Sequence, residues 1–368
     1  MKFSISKAAL QDLLQVVSSA VPTKSTLPIL SNVLIEADKE GLTLLATDLD
    51  LSIKTRGDAD VSQEGSITVP AKRIAEIVRE LPDADVKVSV SGTKVKLSCA
   101  NGSFSIHGLD PEDFPQLPQI DAEKMVSLPF DVLESAVRRT SYAVSTDETR
   151  QMLTGVLLQL KAGELRMVAT DGHRLAKTAF RGDYKNLDRD LIVPPKALSQ
   201  VVRLAAGRDA VNLTVSKNFA VFEMGTTTVY SRLIDGNFPN YEQVIPKESP
   251  RKVRVKREEF VGALRRVSVL SDNVTRQIKL ALKPERIELS VSTADVGEGS
   301  EALGVDYSGD ELAVGYNAAY LLEALRTIGT DEIEIQLNTP TSPGIFVPAK
   351  EIENEDVLCL VMPLRLPE

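Results

Sequence analysis

Ala46-Thr47-Asp48 returns as Ala169-Thr170-Asp171, and Val69-Pro70-Ala71-Lys72 returns as Val193-Pro194-Pro195-Lys196. Asp113-Phe114-Pro115 returns as Asn237-Phe238-Pro239, and Met362-Pro363 falls at the next step. The spacing is 123 or 124 residues each time. A chain with this period is built from three copies of one supersecondary unit, so any fold assigned to one copy has to suit the other two.

Within each copy the apolar pattern changes period. Leu10, Leu13, Leu14 and Val17 have the i, i+3, i+4, i+7 spacing of one helix face. The same spacing starts at Ile74, Leu133, Leu198, Phe260 and Leu321, which predicts six amphipathic helices, two per copy. Pro70 and Pro194 suit a first helical turn, where a missing N–H costs nothing. Between helices the period drops to two. Val86, Val88 and Val90, then Val95, Leu97 and Cys99, alternate with polar residues, as do Val211, Leu213 and Val215, and Ile333, Ile335 and Leu337. These read as half-buried antiparallel strands joined by turns such as Ser91-Gly92. The fold class is α+β, with helices on one face of the sheets. Proline-rich linkers near 116–124 and 245–252 divide the chain into domains 1–121, 122–247 and 248–368.

Two or three domains also suit a length of 368 residues. No apolar run reaches a membrane span, and Met1-Lys2-Phe3-Ser4-Ile5-Ser6 alternates like a strand instead of forming a signal-peptide core, so a cytoplasmic protein is expected. Cys99, His107, His173 and Cys359 lie too far apart to chelate a soft metal, and no phosphate-binding loop is present, so neither metal nor cofactor is expected. The net charge of −9 argues against a nucleic-acid partner, but the charge is uneven. The six helical segments together carry +6, which leaves −15 for everything else. A basic helical layer in an acidic protein suits a polyanion gripped by its backbone. Ordinary solubility of surface helices gives the same count.

Asp171 and His173 look like an acid–base pair. The acid recurs as Asp48, however, whereas Asp50 stands where the histidine would be, so the acid belongs to the repeat and not to chemistry. The stretch is read as a binding surface whose other wall is Val361-Met362-Pro363-Leu364-Arg365-Leu366. The alternative is an enzyme or ligand-binding repeat protein that holds a small molecule at the same place.

Over its full length the chain resembles the β subunit, or sliding-clamp, family of bacterial DNA polymerase III. The resemblance rests on Thr26-Leu27-Pro28-Ile29-Leu30, Ala169-Thr170-Asp171-Gly172-His173-Arg174-Leu175, Asp235-Gly236-Asn237-Phe238-Pro239-Asn240-Tyr241 and Val361-Met362-Pro363-Leu364-Arg365-Leu366. It implies three clamp domains per chain, helices lining the inside, antiparallel sheets outside, and a head-to-tail dimeric ring. Twelve helices side by side at about 10 Å leave a hole of about 28 Å, wide enough for duplex DNA, whereas six do not. The implied function is a non-catalytic processivity factor that encircles double-stranded DNA without reading sequence and tethers the replicative polymerase. The implied partners are the polymerase III alpha subunit, the clamp-loader delta subunit, other polymerases, ligase and mismatch-repair proteins, and a second copy of the chain.

The resemblance also implies site residues. Lys24, Arg73, Arg150 and Lys196 match DNA-facing positions, and Gln151-Met152 stand where the family often has two tyrosines. A partner-peptide pocket between the second and third domains takes its apolar lining from Leu153, Leu175, Pro239, Val244, Pro343, Leu360, Met362, Pro363 and Leu364. Thr170, Gly172, His173, Asn317 and Tyr320 complete it, with Arg174 and Arg365 expected to fix the peptide's polar groups. Phe104 and Ile106 on one side, and Val269 and Leu270 on the other, match the subunit seam. Pro367-Glu368 extend past the family's usual last leucine.

Overall fold

The computed structural model describes residues 1–118, 125–161, 163–184, 187, 189–294 and 296–366. Among these residues there are six α-helices, where the apolar spacing predicts them: α1 Lys7–Ser18, α2 Ala71–Glu80, α3 Phe130–Thr140, α4 Pro195–Ala205, α5 Arg257–Ser268 and α6 Ala318–Thr327. Their buried faces follow the pattern closely. Leu10, Leu13, Leu14 and Val17 are buried on α1, and Phe260, Ala263, Leu264 and Val267 on α5. Ser6 caps α1 by accepting the Ala9 N–H at 3.2 Å, and Asn317 caps α6 by accepting from Ala319 and Tyr320. The prolines fall one place from expectation. Pro70 is the cap residue of α2, and Pro195, not Pro194, opens α4.

The chain packs as two compact units, Met1–Asp131 with Lys196–Leu233, and Val132–Pro195 with Ile234–Glu368. In the first unit a five-stranded sheet ends on Gly102–His107, which pairs on one side only, with Lys94–Cys99. An eight-stranded antiparallel sheet runs from Met125–Pro129 through Thr227–Arg232 and Leu51–Gly57 to Gly65–Pro70. The pairing of Thr227–Arg232 with Leu51–Gly57 joins sequence from two different repeats into one sheet.

In the second unit an eight-stranded sheet contains Glu164–Thr170, Arg174–Arg181, Glu355–Val361 and Gly344–Pro348 in that order. A four-stranded sheet ends on Gly297–Gly304. Here too one ladder crosses repeats, with Arg174 opposite Val361 and Leu175 opposite Leu360. Strand pairing therefore groups the chain into two units although its sequence repeats three times. The expected boundary at 121/122 and the Pro367-Glu368 extension lie outside the described residues.

Candidate functional site

The Ala-Thr-Asp-Gly-His-Arg stretch of the second repeat is a tight turn between strands Glu164–Thr170 and Arg174–Arg181. Thr170 starts it. Its hydroxyl donates to the Arg174 carbonyl at 2.6 Å and accepts the Gly172 N–H at 3.1 Å. Gly172 has φ +90°, where a side chain would be strained, and an added Cβ would stand 3.1 Å from Arg150 Nη1. Asp171 finishes the turn by accepting the backbone N–H groups of His173 at 2.8 Å and Arg174 at 3.0 Å. The carboxylate therefore meets the backbone of His173, and the acid is a turn cap. Its other oxygen accepts from Arg174 Nε at 3.0 Å.

The chain returns to this turn 189 residues later through the strand Glu355–Val361, and the Met362 N–H donates to the His173 carbonyl at 2.8 Å. Two residues on, Leu364 pairs with Gly315 through a 2.8 Å bond to its carbonyl, and Gln277 Nε2 donates to the Arg365 carbonyl at 2.7 Å. The segment Met362–Arg365 is thus stretched between the two sheets of the second unit, beside the turn. Leu175 and Leu360, each 2% exposed, form the floor of the site together with Leu157, Val168, Ile192 and Tyr241. Phe238 packs edge-on to Tyr241, with ring centroids 6.5 Å apart. Leu153 is buried as well, while Val244 and Met362 are exposed apolar side chains. Pro363, Leu364 and Pro343 are half-buried, and His173, Pro239 and Arg365 are exposed. The site can accept an apolar segment on a rigid, mostly backbone-bonded rim.

Arg174 departs from its expected role. Its guanidinium bonds Asp171, Glu323 and the Tyr142 carbonyl, the last at 2.7 Å. It also lies over two aromatic rings, 4.5 Å from the Tyr320 centroid and 5.3 Å from that of Tyr142. Burial opposes its charge, but Glu323 and Asp171 more than offset this and raise its pKa. Arg174 is a locked strut, and Arg365 is the exposed cation of the wall. Below the strut, the Tyr142 hydroxyl donates to the buried Cys359 Sγ at 3.4 Å. Burial pushes that thiol's pKa up, in keeping with the reading of both cysteines as small buried hydrophobes.

Tyr142, Glu323 and Arg150 border the site without having been named for it from the sequence. Glu323 lies one helical turn past Tyr320 on α6, a spacing that could have drawn attention to it. Tyr142 has no such signal. Arg150 was assigned to DNA, yet its guanidinium reaches over the Gly172 turn.

The remaining expected residues lie elsewhere. Lys24 is exposed in the loop before Pro28–Ser31. Arg73 pairs with Glu76 at 3.7 Å, Arg150 with Asp147 at 2.9 Å and Lys196 with Asp48 at 2.5 Å, and all three cations are largely exposed. Phe104, 42% exposed, and the half-buried Ile106 sit on the strand Gly102–His107. Val269, 76% exposed, and Leu270 follow α5, and Leu270 lies against the glycines of the strand Gly297–Gly304.

Three family models match the chain in sequence: the N-terminal domain of the DNA polymerase III beta subunit over residues 1–118, its central domain over 127–240, and its C-terminal domain over 242–365. The beta sliding clamp of Synechococcus elongatus is 38% identical over 376 aligned positions, and that of Caulobacter vibrioides is 36% identical, each alignment covering both chains completely. Among solved structures, the Caulobacter crescentus beta sliding clamp superimposes with a TM-score of 0.95 at 35% identity. The Pseudomonas aeruginosa clamp bound to griselimycin does so with 0.94 at 32%, and both fits cover both chains completely. With three clamp domains in order and full-length relatives, the chain belongs to the DNA polymerase III beta subunit family, the beta sliding clamps.

Proposed function

We propose that two copies of the chain join head to tail around duplex DNA and serve as the processivity clamp of DNA polymerase III, working in the cytoplasm as a non-catalytic subunit of the holoenzyme. The domains are 1–121, 122–247 and 248–368. The turn at Thr170–Arg174 and the wall at Met362–Arg365 form the slot that takes a peptide from each partner. Those partners are the alpha subunit, the clamp-loader delta subunit, other polymerases, ligase and mismatch-repair proteins. The observation that supports the reading is the meeting of the Thr170–Arg174 turn with the Met362–Arg365 segment beside a buried cluster that includes Leu175 and Leu360, with Met362 and Val244 exposed.

The other surfaces fit the same role. Lys24, Arg73, Arg150 and Lys196 contact phosphates. Arg73 and Arg150 hold carboxylates in exposed pairs, which are weak and are readily exchanged for a phosphate, and Lys196 is an exposed cation on the less exposed Asp48. Weak contacts of this kind let a ring slide, whereas strong ones would stall it. Phe104 and Ile106 meet Val269 and Leu270 of a second copy, covering exposed apolar side chains at two sheet edges.

Retention on primed circular DNA tests the reading. After loading, the protein is expected to stay on the closed circle through a high-salt wash and to leave once the circle is cut. Equal loss from both forms, or equal retention on both, would overturn it.

A further inference from the structure

We propose that Gln277 is a positioning residue of the slot: its side-chain amide fastens the far end of the Met362–Arg365 segment and so sets where Met362 stands for a partner. The inference rests on the slot reading above and adds to it what keeps one side of the slot in place.

The segment is fixed differently at its two ends. Its near end continues the strand Glu355–Val361, where the Met362 N–H donates to the His173 carbonyl at 2.8 Å. Its far end lies against Leu312–Asn317, the edge strand of the four-stranded sheet. There the Leu364 N–H donates to the Gly315 carbonyl at 2.8 Å, and Gln277 Nε2 donates to the Arg365 carbonyl at 2.7 Å. Gly315 makes the approach possible. A Cβ on it would stand 2.6 Å from the Leu364 carbonyl oxygen, 2.9 Å from Gln277 Nε2 and 3.1 Å from Leu366 Cδ2. Among the described residues, Gln277 is the side chain that hydrogen-bonds the backbone of this segment.

Gln277 is itself firmly held. It opens the strand Gln277–Lys283, in which Ile278 and Leu280 are buried, so Gln277 and Lys279 face the other side of the sheet, beside Gly315. The loop before it is tied down. Asp272 accepts the N–H groups of Val274 at 2.8 Å and Thr275 at 2.6 Å, and the Ala318 N–H donates to the Arg276 carbonyl at 2.9 Å. Between Met362 and Arg365 stand only Pro363, whose ring fixes φ, and Leu364. So short a linkage passes a shift along. Once the Arg365 carbonyl is let go, Met362 loses its place while the strand before it keeps its ladder. A surface hydrogen bond of this kind is worth about three- to five-fold in an equilibrium.

The test uses the full chain and a neutral peptide of leucine, phenylalanine and serine. It reads calorimetric affinity for the peptide and hydrogen exchange of the Leu364 amide. Gln277→Met keeps the length and loses the donor. It should bind the peptide about three- to five-fold more weakly and exchange the Leu364 amide faster by a similar factor, while the amides of Glu355–Val361 exchange as before. Gln277→Glu sets an acceptor against the carbonyl and should weaken binding further. Gln277→Lys restores a donor and should recover most of the loss. Wild-type affinity in Gln277→Met would overturn the inference, as would weaker binding without faster exchange. Equal losses in Gln277→Met and Gln277→Lys would mean that Gln277 acts through its shape, which overturns it too. Met362→Lys is the control for the slot itself and should abolish binding. If wild type does not take up the peptide, or Met362→Lys binds it as wild type does, the slot reading falls and the positioning role with it. If Met362→Lys abolishes binding and Gln277→Met does not weaken it, the slot stands and this inference alone falls.

Discussion

In the first unit, Thr47 accepts the Leu49 N–H at 3.0 Å, and Asp48 accepts those of Asp50 at 3.1 Å and Leu51 at 2.7 Å. In the second unit, Thr170 and Asp171 make the same three bonds to Gly172, His173 and Arg174. Even the neighbouring strand repeats, with the Arg232 N–H donating to the Asp50 carbonyl at 2.7 Å where Met362 donates to His173. Leu49 takes up φ +81° where Gly172 has +90°. The surroundings are where the two turns part. Leu51 is a buried core residue at the place of Arg174, and Asp48 reaches out to the exposed Lys196. The two copies share the turn as a scaffold and differ at three positions, with Leu49, Asp50 and Leu51 in the first where Gly172, His173 and Arg174 stand in the second. A shared Thr-Asp motif is therefore evidence of shared backbone and says little about shared work.

The sharpest way to break this comparison is to remove the two cations. Arg174→Ala strips the partner from Asp171 and Glu323 inside a mostly buried cluster, so a loss of about 2–4 kcal/mol of stability is expected, together with loss of peptide binding. Lys196→Ala removes an exposed cation from a carboxylate that keeps its two backbone partners and should cost less than about 1 kcal/mol. Urea unfolding of the two variants compares them directly, and equal costs would mean the turns are energetically alike. Removing the acids has a smaller effect. Asp48→Ala and Asp171→Ala each orphan two turn N–H groups, for about 1–2 kcal/mol. Asp171→Ala should be the worse of the two because Arg174 also loses a partner, and thermal unfolding would reveal the order. The left-handed residue gives a third comparison. Gly172→Leu should cost about 1–3 kcal/mol. Leu49→Gly should stay within about 1 kcal/mol of wild type, because relief of strain is offset by a freer unfolded chain. If Leu49→Gly were as damaging as Gly172→Leu, the exposed Leu49 side chain would have a use of its own.

The helices were legible because their pattern is local, whereas the turn, equally local in its bonds, reads in the sequence only as a binding surface. Leu10, Leu13, Leu14 and Val17 announce a helix within eight residues, and Thr170 to Arg174 bond one another within five. The surroundings of Arg174 were not legible, for the opposite reason. Tyr142 lies 32 positions away and Glu323 149, on elements that nothing in the local pattern pairs with the turn. Without those partners Arg174 reads as a free cation for a ligand, and with them it is a strut. The two-unit packing was hidden in the same way. Nothing in the local pattern of Arg174–Arg181 indicates that its neighbour is Glu355–Val361.

That long-range ladder bears on how the protein is made. Lys177 and Asp356 join across it from 179 positions apart, and in the first unit Thr55 and Thr227 join across 172. Closing such loops is slow, and until they close the unpaired strand is a sticky edge. As the chain leaves the ribosome, the first unit can seal once Thr227–Arg232 has emerged. Arg174–Arg181, with Leu175 and Phe180 on it, must wait for Glu355–Val361. The turn and its partner strand are thus among the last parts of the molecule to be joined, and a nascent chain holds out an open edge to aggregation or to a chaperone for about half of its synthesis.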